Sequence, residues 1–148
     1  MTTEIPDLWG TDIDVDVVPP LVILRTQAQA IGVRTKGLLS AEVVSSDQTA
    51  NDGSHLWTHT FLLQAPPIDF HGEELLEVSH EEERYYPVTI QVPTAISWGQ
   101  LAGKQLSLLC ADQSEFMAAL SAVLTSPPTR AALNSLLARV NEKQLAKG

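Results

Sequence analysis

His55 and His59 stand four residues apart, the spacing that puts two imidazoles on one face of a zinc-binding helix. No glutamate follows His55, and residues 56–65 read as a strand. Four residues of strand span about 13 Å, too far for two rings to share a metal. A second pairing is more informative. Setting 56–65 antiparallel to a strand at 74–80, with His59 opposite His80, places Phe61 opposite Val78 and Leu63 opposite Leu76. That register gathers the large apolar groups on one face, which is what fixes register in a half-buried sheet. Extending it to a strand at 85–92 puts His80 opposite Tyr86, Val78 opposite Val88 and Leu76 opposite Ile90. The row His59–His80–Tyr86 is therefore a candidate polar site, for a ligand, a metal or a general base with a tyrosine donor. The competing reading is a polar margin of the core, hydrogen-bonded internally. A metal would need a third ligand and the sequence places none, so no metal, cofactor or catalytic residue is assigned.

The remaining motifs are weaker. Asp12-x-Asp14-x-Asp16 begins like a calcium loop, but such a loop needs glycine at its sixth position and glutamate at its twelfth. Val17 and Ile23 stand there. Cys110 closes the apolar run Leu106–Leu109 with no adjacent base, so it reads as a buried thiol rather than a nucleophile. No Gly-x-Ser-x-Gly elbow, phosphate loop, cysteine pair or dinucleotide fingerprint occurs. Glu81-Glu82-Glu83 forms an acidic tip that serves either as a solvated turn or as a docking patch for a basic surface. Trp9, alone in a polar segment, is a candidate anchor for a partner.

Composition narrows the classes. The chain has 148 residues, 44% of them hydrophobic, and carries a net charge of −9. That suits one domain with a core. No apolar run approaches the roughly 20 residues of a membrane helix, and the N-terminus has no signal-peptide pattern. The single cysteine allows no internal disulfide. Together these point to a cytoplasmic protein. Between residues 37 and 115 the only bases are Arg84 and Lys104. A middle this acidic disfavours phosphate backbones and suits a basic protein partner. Arg130, Arg139, Lys143 and Lys147 are spread along the C-terminus, and no aromatic residue follows Phe116 to stack on a base.

The elements that must position these residues follow from periodicity. Residues 1–18 read as an extended acidic segment, with Ile13, Val15 and Val17 alternating with aspartates, and 19–148 as a single α+β domain. A poorly capped helix is expected over 19–34, with Leu21, Leu24, Ala28 and Ile31 on one face. Strands are expected at 38–46, 56–65, 74–80 and 85–92, with a short fifth at 105–110, and Asn51-Asp52-Gly53 turns between the first two. Pro87 lacks an N–H and marks an edge or an unpaired position. Two helices close the chain, the first capped by Ser114 and the second by Ser126 with Pro127 at its first position. The order predicts a four- to five-stranded antiparallel meander. The N-terminal helix and an antiparallel C-terminal helix pair would cover the face that carries 59, 61, 63, 76, 78, 88 and 90. Ser40, Glu42, Thr58, Thr60, Glu77, Ser79, Thr89 and Gln91 would face water.

Pro20-Leu21-Val22-Ile23-Leu24-Arg25, Tyr86-Pro87-Val88 and the segment from Glu115-Phe116 to Leu137 resemble small uncharacterised bacterial proteins. The resemblance covers about half the chain and implies a bacterial source and a shared fold, but no activity. The sequence therefore favours a non-enzymatic, acidic protein-binding module, of inhibitor or immunity type or an assembly adaptor, with a basic protein or a second copy as partner. The alternative is a small enzyme or a ligand- or metal-binding protein with its site near His59, His80 and Tyr86.

Overall fold

The computed structural model describes residues 4–8, 17–49, 51–93 and 106–147. Trp9, Trp98 and the aspartates at 12, 14 and 16 lie outside the described residues. Helix α1 (Pro20–Arg34) has no side-chain cap, because Pro19 occupies the N-cap. Pro20 lacks an N–H, so one of the unpaired donors of the first turn does not exist. At the other end Thr35 closes the helix. Its hydroxyl reaches the Ile31 carbonyl at 2.8 Å and accepts the Leu39 N–H at 3.0 Å. Gly37, at φ 83°, bonds its N–H back to the Gly32 carbonyl at 2.8 Å and turns the chain into the sheet.

Five strands follow in an antiparallel meander: β1 (Ser40–Thr49), β2 (His55–Ala65), β3 (Phe70–Glu81), β4 (Val88–Val92) and β5 (Leu106–Cys110). A 3₁₀ turn, Pro66–Ile68, joins β2 to β3. Helices α2 (Gln113–Leu124) and α3 (Pro127–Lys147) end the described chain. The architecture is the expected one: an N-terminal helix, five antiparallel strands and two C-terminal helices. The core face is also as expected. Phe61, Leu63, Leu76, Val78, Val88 and Ile90 are all buried, in one cluster with Leu24, Leu39, Phe116, Leu120, Leu136 and Val140. Alternation decided this outcome, because only one parity brings the apolar side chains together.

The register differs from expectation by two residues. His59 lies opposite Val78, and His80 opposite Trp57; on the next strand Val78 faces Ile90 and His80 faces Val88. A shift of two keeps every side chain on its face, so the hydrophobic pattern is satisfied equally by both registers. The short turn that joins β2 to β3 and two irregularities in their ladder, between Phe61 and Leu62 and between Leu63 and Gln64, select the observed one. At the first irregularity Leu75 is the extra residue, and it is buried. Tyr86 does not belong to a strand, because β4 begins only after Pro87. Asp112, not Ser114, caps α2, accepting the Glu115 N–H at 2.8 Å. The Ser126 hydroxyl turns back to the Val123 carbonyl at 2.7 Å and so finishes α2, while Pro127 opens α3 as expected.

Candidate functional site

His59 and His80 are brought together, by a route that differs from direct pairing. Each sits on the core face, one strand apart and two residues out of step, and both are buried. Their Nε2 atoms are 3.0 Å apart. Diagonal neighbours on one face of a twisted antiparallel pair are within reach of long side chains. The His80 Nδ1 lies 2.8 Å from the Glu81 carbonyl and 3.2 Å from that of Arg84. Carbonyls only accept, so this nitrogen carries the hydrogen. In a neutral ring the His80 Nε2 is then an acceptor, and the His59 Nε2–H donates to it. That leaves the His59 Nδ1 as acceptor for the Ser45 hydroxyl, 2.7 Å away. The result is one directed chain: Ser45 to His59 to His80 to backbone carbonyls.

Aromatic rings wall the pair. Trp57 stacks near-parallel to His59 with centroids 6.4 Å apart, and Tyr85 meets His80 edge-on at 5.9 Å. Burial, then the charge His80 would carry, then Arg25 on α1, lower the His59 pKa from 6.5 to about 4. The arrangement therefore holds the His59 ring neutral near pH 7. In order it resembles a nucleophile, a base and an orienting group, but its end point is a pair of carbonyls, with no carboxylate to stabilise an imidazolium. A base this weak also gives little help to a serine at neutral pH. Two converging imidazole nitrogens are the beginning of a metal site. Among the described residues, however, no group of three His, Cys, Asp or Glu side chains is placed to hold an ion.

Tyr86 is not part of this row. Its hydroxyl donates to the Val18 carbonyl at 2.8 Å, its ring lies against Phe116, and burial raises its pKa. The Gln113 side chain accepts the Val18 N–H at 3.0 Å, so the segment entering α1 is pinned on both sides. Ser45 was not singled out from the sequence. Carrying the register across the turn at 51–53 to β1 would have found it, because Thr49 pairs with His55 and hence Ser45 with His59. Glu81 ends β3, and Glu82 and Glu83 form the turn after it; all three are exposed. Trp9 lies outside the described residues.

A cavity among the described residues opens elsewhere. It measures about 410 Å³ and lies between α1, α2, the start of α3 and strands β2 and β3. Phe61, Leu63 and Leu75 floor it; Ser45, His59, His80 and Tyr86 do not line it.

No family model, curated protein or solved structure matches the chain. Among the described residues no helix is long and apolar enough to cross a membrane.

Proposed function

We propose that this chain is a non-enzymatic protein-binding module of the bacterial cytoplasm that docks a basic partner on the sheet face away from the helices. The observation behind this reading is the division of charge between the two layers. None of the five strands carries a lysine or arginine, whereas α1 and α3 hold Arg25, Arg34, Arg130, Arg139 and Lys143. On the face away from the helices, Glu42 and Glu74 flank Leu62 from the two neighbouring strands, and Glu77 and Glu81 continue along β3. Burial and the nearby Glu74 carboxylate raise the pKa of Glu77, so these groups repel and are relieved by an incoming cation. Ser46, Ser79 and Thr89 share the face and offer hydroxyls, with Thr58 buried between them. Inhibitor or immunity-type masking of a basic surface, or an adaptor role in assembly, both use such a face.

The alternative, a ligand or metal site at His59 and His80, has less behind it, because the rings satisfy one another and the cavity opens elsewhere. The test is association kinetics with the partner isolated from the native cell. Attraction between unlike charges is screened beyond about 8 Å at physiological salt, so the association rate should fall as ionic strength rises. Replacing Glu42, Glu74, Glu77 and Glu81 with Gln should flatten that dependence. A salt-independent rate for the unaltered protein would remove this reading.

A further inference from the structure

The helix-side cavity has a chemical character of its own. Its depth is apolar: Ile23 from α1, Phe61 and Leu63 from β2, Leu75 from β3 and Leu120 from α2 are all buried there. Among the described residues its charged lining is Arg34, in the last turn of α1, and Arg130, in the first turn of α3. Both are exposed, and Gln27, Ser121 and Thr125 add polar atoms to the lining. Among the described residues no carboxylate is within ion-pair distance of either guanidinium. In a chain of net charge −9, two unpaired arginines from different helices meet at one apolar opening. A volume of about 410 Å³ is within the range typical of small-molecule sites, about 300–1,000 Å³.

We infer that this cavity binds an unbranched apolar chain ending in an anionic head group, the chain lying on Phe61, Leu63 and Leu75 and the head group held by Arg34 and Arg130. Guanidinium groups match both carboxylate and phosphate in planar, bidentate geometry, so the head group is either of these. The site lies on the helix side, opposite the acidic sheet face, and does not depend on it.

The test is calorimetric titration of the full chain with decanoate and decyl phosphate, which separate the two head groups, and with decan-1-ol and decyltrimethylammonium as controls. At least one of the anions should bind saturably with one molecule per chain. Octanoate or octyl phosphate should bind about fifteen-fold more weakly than its ten-carbon homologue, from about 0.8 kcal/mol for each buried methylene. Exchanging Arg34 and Arg130 together for Gln should weaken the anion about tenfold or more and leave decan-1-ol unchanged, since charge-assisted hydrogen bonds are lost and the apolar contact is not. Both arginines are exposed, so this variant keeps the fold. Ala30→Phe, which fills the cavity from α1, should abolish binding with the circular dichroism spectrum intact. Decyltrimethylammonium binding as tightly as the anions would overturn the inference. So would Arg-to-Gln variants that bind the anions undiminished, or a concentration-dependent dimer that neither anion opposes.

Discussion

The Nε2 atoms of His59 and His80 meet at 3.0 Å although neither residue is the other's partner in the sheet. His59 faces Val78 and His80 faces Trp57, so the contact runs diagonally between the two strands. Because the far nitrogen of each ring is already committed, to Ser45 on one side and to the Glu81 and Arg84 carbonyls on the other, one proton is shared in one direction. That constraint has consequences in solution.

The tautomers are fixed. At neutral pH, long-range ¹H–¹⁵N spectra should show His59 with its hydrogen on Nε2 and His80 with its hydrogen on Nδ1. The opposite assignment for either ring would mean that the chain from Ser45 to the carbonyls does not exist. Ser45→Ala removes the first donor and should cost about 1 kcal/mol in urea unfolding, the usual net value of one hydrogen bond.

Stability should fall with acid through this pair. The His59 pKa is about 4 in the folded chain and about 6.5 when unfolded, so between those values the unfolded state binds more protons. Stability from this group is full above pH 6.5 and is lost as pH falls towards 4, by up to roughly 3 kcal/mol. His59→Gln keeps a polar side chain and abolishes the titration. Its unfolding free energy should therefore decline less between pH 7 and pH 4 than that of the unaltered protein. Parallel declines would place His59 in water.

Tyr86 should act as a clasp on the entry to α1. Tyr86→Phe keeps the ring against Phe116 and removes the donor to the Val18 carbonyl. A loss of about 1 kcal/mol is expected, with faster amide exchange at Val18, whose N–H bonds Gln113. Unchanged exchange at Val18 would show that the hydroxyl does not hold the segment.

Cys110 should be inert in the native state. It is buried beneath the helices at the end of β5, and burial, reinforced by Glu115 and Asp112, raises its thiol pKa. A disulfide-exchange reagent should label it slowly in buffer and within the mixing time in strong denaturant. Rapid labelling of the native protein would mean that β5 opens readily.

The residue pattern alone accounts for the elements, their order and the buried face. Alternation along Phe61–Leu63, Leu76–Val78 and Val88–Ile90 leaves one parity that hides the apolar groups, and the Asn51-Asp52-Gly53 turn sets where β1 folds onto β2. It also determined the division of charge, since no lysine or arginine occurs in any strand segment. Which residues meet depends on how the elements pack. Registers two residues apart bury the same face, so the sequence pattern cannot separate them, and the irregularities beside Leu62 and Gln64 do. The absence of an N–H on Pro87 delays β4 and frees Tyr86 to reach Val18 rather than His80. The cavity depends on how three helices settle on the sheet. Arg34 and Arg130 lie far apart in the chain, and no local pattern relates them; helix packing alone brings them to one opening.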